Sequence, residues 1–400
     1  MARIASRINR IKPSPSSMAG QRARELRAAG RDIVGLTAGE PDFDTPENVA
    51  EAVARAMANS QTKYTDIGGT PQLKEAIVAK FRRENGLEYA PGEVIVGNGG
   101  KQVIFNALMC TVEKGDEVIV PGPYWVSYPD IVLLAGGTPV FVPGSVQQGF
   151  KLQPQDLERA ITPRTRWLIL NAPNNPSGAT YTREELQALA QVLLRHPHVW
   201  ILTDDMYEHV LYDDRQFFTM AQVEPELKAR TLTVNGVSKA YAMTGWRIGY
   251  GGGPVELIKA MTKLQSQSTS NPSSISQAAA QEALSGPQDF IAERTRVFQQ
   301  RRDFIVTELN RMPGVSCHVP EGAFYAFPSC AGVIGKRTPS GKVLETDEDF
   351  VLYLLDEENL AVLQGAAYGV SPFFRLSYAA SMETISEGCA RLLRACEKLD

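Results

Sequence analysis

The chain has little of what a metal centre or a disulfide-bonded scaffold needs. Its 400 residues include four histidines and five cysteines. The cysteines (Cys110, Cys317, Cys330, Cys389 and Cys396) are odd in number, widely spaced and nowhere form C-x-x-C. Neither a metal site nor a disulfide framework is expected, and the thiols fit a reduced, cytoplasmic setting. No apolar run is long enough to span a bilayer. The N-terminus carries Arg3, Arg7, Arg10 and Lys12 without an apolar segment beside them, so it lacks the pattern of a secretory signal and reads as a basic arm packed on the protein. A net charge of −4 gives no reason to expect nucleic acid or an anionic membrane as partner. Internal repeats, low-complexity tracts and long polar linkers are also missing.

What is present is an ordinary globular composition, 43% hydrophobic and 22% charged, in a chain too long for one hydrophobic core. Short β-branched runs alternate with helical patterns. Strands are expected at 93–97, 116–121, 139–142, 166–170, 199–204, 231–235 and 247–252, and a helix at 182–196 whose Thr182 and Glu185 make a capping box. Such alternation predicts an α/β domain around a mainly parallel, seven-stranded sheet. From about residue 287 the pattern changes to a long charged helix (289–312), then "GAFYAFP" (322–328), a helix near 347–359 and "FFRLSYA" (373–379), which reads as a smaller α+β domain. The expected division is an N-terminal arm over 1–46, joining the small domain or a partner subunit, a large domain over 47–286 and a small one over 287–400.

In open α/β sheets, ligands bind beyond the carboxyl ends of the strands. There the sequence places "GNGGKQ" after the first strand, "NAPNNPSG" after the fourth, Asp204 and Tyr207 after the fifth, and "NGVSK" after the sixth. Each has a bland alternative. Gly99 and Gly100 could merely close a turn, Asn175 sits in good turn chemistry, Asp204 could cap a helix, Tyr207 could be core, and a lone lysine is usually solvated. Their functional reading rests on coincidence at one sheet edge: bare helix-start amides for a phosphate, an acid and a lysine. Gln102 stands where a third glycine would be needed for a dinucleotide fingerprint.

Two chemistries fit. One is pyridoxal phosphate, whose aldehyde needs an amine, whose phosphate needs a cradle and whose ring nitrogen needs an acid. The other is a serine hydrolase, because "GVSKA" (236–240) approaches the G-x-S-x-G elbow. Ala240 breaks that match, Gly245 ends the segment before a long helix can form, and His318 would have to serve as base.

The chain resembles the class I aminotransferases of fold type I, and within them the bacterial aspartate and aspartate/prephenate aminotransferases. The motifs that carry the resemblance are "LTAGEPDFDTP" (36–46), "TKYTD" (62–66), "GNGGKQ" (97–102), "GPYWVSYP" (122–129), "NAPNNPSG" (171–178), "TDDMYEH" (203–209) and "SKAYAMTGWRIGY" (238–250), together with "FFRLSYA". The resemblance implies that Lys239 forms the imine with pyridoxal phosphate and is the catalytic base. It implies that Arg247, Ser238 and the amides around Gly99, Gly100 and Lys101 hold the phosphate. Asp204 would pair with the ring nitrogen, Tyr207 and Asn175 with the phenolic oxygen, and Trp125 would stack on the ring. Tyr64 would reach the phosphate from a neighbouring subunit, implying a homodimer with shared active sites. Arg375 would grip the substrate α-carboxylate, with Asn175, Trp125 and the backbone at Gly39 beside it.

The implied reaction is ping-pong transamination of L-aspartate with 2-oxoglutarate and glutamate as the partner pair. Lys101, helped by the arm near residues 14–16, is the candidate for the distal carboxylate, although it could also be a solvent-facing charge at a helix start. Lys12 matches a position linked in the resembling subgroup with prephenate, and Pro15 departs from the pattern by stiffening the arm. Other enzymes on the same fold (aromatic aminotransferases, C–S lyases, racemases, decarboxylases) stay open, whereas a cofactor-binding regulator would need a separate DNA-binding module.

Overall fold

A computed structural model describes residues 3–400. The first two residues of the expected arm, and the side chain of Ser16, lie outside the described residues. The described residues form twelve strands: β1 (Val34–Gly35), β2 (Val94–Gly97), β3 (Glu117–Gly122), β4 (Thr138–Pro143), β5 (Thr165–Asn171), β6 (Trp200–Asp204), β7 (Thr231–Gly236), β8 (Gly249–Gly252), β9 (Tyr325–Ala326), β10 (Leu360–Ala361), β11 (Leu363–Gln364) and β12 (Phe374–Ser377).

Strands β2 to β8 build one seven-stranded sheet in the order β2-β8-β7-β6-β5-β3-β4. β3 to β7 run parallel, and β8 alone is antiparallel to both of its neighbours. Both faces of this sheet are covered. Val118 and Val120 of β3, with Trp167 and Ile169 of β5, face a core completed by Val103 and Ile104 of the helix Gly100–Thr111 and Leu257 of the helix Val255–Ser266. Their alternates, Ile119, Leu168 and Leu170, face a second core with Leu186, Leu189 and Leu193 of the helix Arg183–Leu194. The alternation follows from successive side chains pointing to opposite faces of a strand. Burial on both faces explains why these strands read as unbroken apolar runs. The capping box at that last helix forms: Glu185 N–H donates to Thr182 Oγ1 at 3.2 Å and Thr182 N–H to Glu185 Oε2 at 2.8 Å.

The strand expected at 247–252 begins at Gly249 instead. Arg247 adopts φ 56°, a left-handed conformation incompatible with a strand, and it terminates the turn Thr244–Trp246. Near the C-terminus, the helix Asp289–Leu309 stops one turn earlier than the charge pattern suggests, and only the centres of 322–328 and 373–379 are strand, as β9 and β12. These pack in a three-stranded sheet, β11-β12-β9, with the helices Asp347–Glu358 and Met382–Glu397 around one core. β1 pairs in parallel with β10, which ties the N-terminal segment to this C-terminal layer. Among the described residues no helix is long and apolar enough to cross a membrane.

Candidate active site

Strand register gathers the informative loops. Asn171 at the end of β5 lies beside Asp204 at the end of β6. Gly97, Gly249 and Gly236 form a row across β2, β8 and β7. At that edge a cavity of about 350 Å³ opens, and Lys239, Ser238, Asp204, Tyr207, Arg247 and Arg375 all line it. Gly39, Gly100, Lys101, Trp125 and Asn175 complete the set of sequence-expected residues on its wall.

The Lys239 amine donates to the Gly39 carbonyl and lies 5.7 Å from the centre of the Tyr207 ring. Burial first, then the Arg375 and Arg247 guanidiniums, push its ammonium down to about 8, while Glu40 and Asp204 pull the other way. A lysine so shifted is neutral in a useful fraction near neutral pH, which a nucleophile and base require.

Asp204 is 7% exposed. Its Oδ2 accepts from Tyr128 Oη at 2.6 Å, and its Oδ1 is buried with no hydrogen-bond partner among the described residues. Burial pushes this carboxyl above its ordinary value, against the pull of Tyr128, the Met206 N–H and Lys239. A carboxylate oxygen left in this condition costs desolvation free energy until a donor reaches it.

The phenols of Tyr207 and Tyr325 share a 2.7 Å hydrogen bond, and burial pushes Tyr207 well above the usual phenol range. Arg375 is buried and forms no ion pair with an acidic side chain among the described residues. Its Nη1 donates to Asn175 Oδ1 at 2.9 Å and its Nη2 to the Thr37 carbonyl at 2.8 Å, its Nε has no partner among the described residues, and its guanidinium sits 4.3 Å from the Tyr325 ring centre. Neutral acceptors thus aim a buried cation without neutralising it.

Arg247 is held similarly, donating to the carbonyls of Thr244 at 2.8 Å and Asn98 at 3.4 Å. It packs on Gly99, whose φ of 83° favours glycine and where a Cβ would come within 2.4 Å of Arg247 Nη2. Gly249 is equally constrained, since a Cβ there would lie 2.1 Å from the Gly100 nitrogen. Both glycines let backbone and guanidinium crowd the start of the helix Gly100–Thr111, where the first amides have no intrahelical partner. The Lys101 ammonium lies 4.9 Å from the Trp125 ring centre.

Three expected residues are not on the cavity wall. Gly99 backs Arg247. Tyr64 is 92% exposed. Lys12 and Ser14 line a neighbouring depression of about 450 Å³ that shares Lys101 and Arg247 with the cavity, and the Lys12 amide donates to Asp130 at 3.4 Å. The hydrolase alternative finds no support: among the described residues the wall around Ser238 includes no histidine, His318 is not part of it, and the segment beyond runs into a single 3-10 turn.

Sequence reasoning did not single out Tyr128, Tyr325, Asn171 or Glu40. Tyr128 lies inside the quoted "GPYWVSYP", three residues past Trp125, on the helix Ser127–Ala135. Asn171 links two strand ends, with its Nδ2 donating to the Asp204 carbonyl at 2.8 Å and its Oδ1 accepting from the Asn175 amide at 2.9 Å. Glu40 accepts from Thr244 Oγ1 at 2.9 Å.

Comparison with known proteins gives a consistent picture. The family model for aminotransferase class I and II matches residues 31–392. The aspartate/prephenate aminotransferase of Cereibacter sphaeroides is 58% identical over 399 residues, covering 100% of both chains. The aspartate aminotransferase of Rhizobium meliloti is 57% identical, covering 99% of this chain and 96% of its own. Among solved structures, the aspartate aminotransferase from Rhizobium meliloti superposes with a TM-score of 0.98 at 56% identity, covering 100% of both chains. That from Thermus thermophilus with maleate superposes with a TM-score of 0.93 at 42% identity, covering 99% of this chain and 100% of its own.

Proposed function

The chain belongs to the class I and II aminotransferases, and from that membership we propose that it carries pyridoxal phosphate on Lys239 and transaminates L-aspartate, with 2-oxoglutarate and glutamate as the partner pair. The observation that carries the cofactor assignment is the buried, partnerless Oδ1 of Asp204 on the wall that also holds Lys239 and Arg247. An acceptor with no donor and a guanidinium with no acid partner among the described residues, together with a lysine of lowered pKa, match a ring N–H, a phosphate and an aldehyde respectively. When bound, this cofactor supplies a carbonyl for imine formation and a ring that accepts electrons.

The protein's own groups do the rest. Arg247, Ser238 and the amides at Gly100 and Lys101 hold the phosphate, with Gly99 giving Arg247 room. Asp204 stays ionised against the ring nitrogen, an opposite charge that offsets the burial pushing its pKa up. Tyr207 and Asn175 donate to the phenolic oxygen, and Trp125 covers the ring face. Lys239 would take the substrate's Cα proton as general base, a role typically worth about 10²–10⁴ in rate. Arg375 binds the α-carboxylate as a fork, with no acidic partner to displace. Lys101 meets the distal carboxylate. Release of one keto acid before the next binds gives ping-pong kinetics.

Prephenate is the second keto acid to be considered, because a 58% identical relative is named for it and because the depression holding Lys12 adjoins the cavity. The exposure of Tyr64 fits a residue that completes the site of a second subunit in a homodimer, and five free cysteines fit a cytoplasmic enzyme. Product assays test the reading. L-aspartate with 2-oxoglutarate should yield oxaloacetate and glutamate, and neither substrate alone should turn over. Release of a keto acid and ammonia from a single amino acid, with no acceptor present, would instead indicate a lyase.

A further inference from the structure

A cluster of charged and amide side chains, buried or half-buried, lies behind the cavity, and none of its members is among the residues that line it. Lys80 is fully buried on the helix Pro71–Asn85. Its ammonium donates to Asn85 Oδ1 at 2.7 Å and to Glu208 Oε1, and Glu84 stands 3.4 Å away. Glu208 is 6% exposed. Its Oε2 accepts from Asn85 Nδ2 at 2.7 Å, and its Oε1 also accepts from Asn235 Nδ2 at 2.7 Å. Asn235 turns its own Oδ1 to the Gly236 amide at 2.7 Å. His209 meets Glu84 at 2.9 Å. Burial pushes Glu84 up, but His209 and Lys80 overcome it and draw the carboxyl down to about 2.

Glu84, Glu208 and His209 bring ligand atoms within 4.8 Å of one another. A metal is not needed there, because the Lys80 ammonium already occupies the space between the two carboxylates. A buried ion pair of this kind is weak grounds for stability alone, since apolar replacements of equal volume are often neutral or better. Its location is more informative. Glu208 follows Tyr207 and stands four residues after Asp204, and Asn235 stands three residues before Ser238 and four before Lys239. One carboxylate therefore fastens three segments together: the helix bearing Lys80, the loop leaving β6 and the end of β7, where Asn235 sits.

We propose that Glu208, neutralised by Lys80, is a positioning residue. Through Asn235 it locks the loop that follows Asp204 and carries Tyr207 to the end of β7, from which the chain runs directly into Ser238 and Lys239, and so sets where the Lys239 amine stands relative to the rest of the cradle. This rests on the function proposed above. Catalytic geometry tolerates little slack, and a displacement of about 1 Å can cost on the order of 10²-fold in rate.

The test uses the holoenzyme loaded with pyridoxal phosphate, as parent, Glu208→Gln and Asn235→Ala. The first readout is visible absorbance against pH, which titrates the bond between Lys239 and the cofactor. The second is kcat per bound cofactor, with KM for L-aspartate measured alongside. Both variants should move the titration midpoint and lower kcat roughly 10- to 100-fold, with KM changed much less. Glu208→Gln leaves Lys80 charged and poorly paired, and if that variant does not fold, Asn235→Ala decides by the same readouts, because it keeps the ion pair. A lower melting temperature with midpoint and kcat equal to the parent would overturn the proposal and make the cluster a stability element only. A parent that never takes up the cofactor would overturn the premise instead, and the two failures are told apart by the parent's colour.

Discussion

Tyr128 Oη donates to Asp204 Oδ2 at 2.6 Å, while Oδ1 of the same carboxylate is buried without a hydrogen-bond partner among the described residues. The bond holds the carboxyl in one rotamer and favours its charged form, leaving the second oxygen for a ligand. Tyr128→Phe removes the only side-chain donor to Asp204 among the described residues, so the carboxyl should rise further and bind the ring nitrogen less well. A hydrogen bond to a charged group is worth about 1.5–3 kcal/mol, so a tenfold or larger loss in cofactor affinity or kcat is expected. Titration of the cofactor-free protein with pyridoxal phosphate, followed by steady-state kinetics, checks this. Parent-like values would reduce Tyr128 to packing.

The lowered pKa of Lys239 carries a signed consequence for stability. In the cofactor-free fold it titrates at about 8, against 10.5 for the ordinary side chain. Between those values the unfolded chain holds more protons than the folded one, so stability rises with pH across that interval. Below pH 8 the cost of burying the charged amine is fully present. Melting temperatures of cofactor-free parent and Lys239→Met, compared from pH 7 to 10, should show the parent gaining on the variant as pH rises. A constant difference would mean that the amine is not desolvated.

Arg375→Lys keeps a charge but loses the fork and the contact with Asn175 Oδ1. Cofactor uptake should survive, while kcat/KM for L-aspartate falls by roughly 10- to 100-fold, the equivalent of one charge-assisted bond. Equal losses in uptake and turnover would place Arg375 in the cofactor cradle instead.

Gly99→Ala forces a Cβ to within 2.4 Å of Arg247 Nη2 at a backbone φ of 83°. Strain of this kind costs about 1–3 kcal/mol, and relieving it displaces the guanidinium. Dialysis against buffer without cofactor should strip the variant faster than the parent. Retention equal to the parent's would show that Arg247 does not hold the phosphate.

Lys101→Ala should raise KM for L-aspartate and 2-oxoglutarate several-fold while leaving aromatic amino acids nearly untouched, because only the former carry a distal carboxylate. A uniform loss across substrates would assign Lys101 to the phosphate.

Much of this site is legible in sequence because its parts sit at strand ends. Asp204, Asn171 and Gly236 close three short, mostly apolar runs, and "GNGGKQ" follows a fourth. The role of Tyr128 is not legible, because a tyrosine opening the apolar helix Ser127–Ala135 looks like core until the fold brings the end of β6, with Asp204, to its hydroxyl. The Lys80, Glu208 and Asn235 cluster is hidden for a similar reason. Its partners are separated by 128 and 27 residues and meet only after the helix Pro71–Asn85 docks behind the loops. The late start of β8 was missed because "RIGYGG" alternates well, and nothing local announces the positive φ of Arg247.

The most direct measurement is the near-ultraviolet and visible absorbance spectrum of the protein supplied with pyridoxal phosphate, alongside Lys239→Ala, before and after L-aspartate and then 2-oxoglutarate. The parent should be yellow, bleach toward the amine form of the cofactor with aspartate and recover with 2-oxoglutarate, while Lys239→Ala should not cycle. A parent that stays colourless, or a Lys239→Ala variant that cycles as the parent does, would contradict the assignment of Lys239.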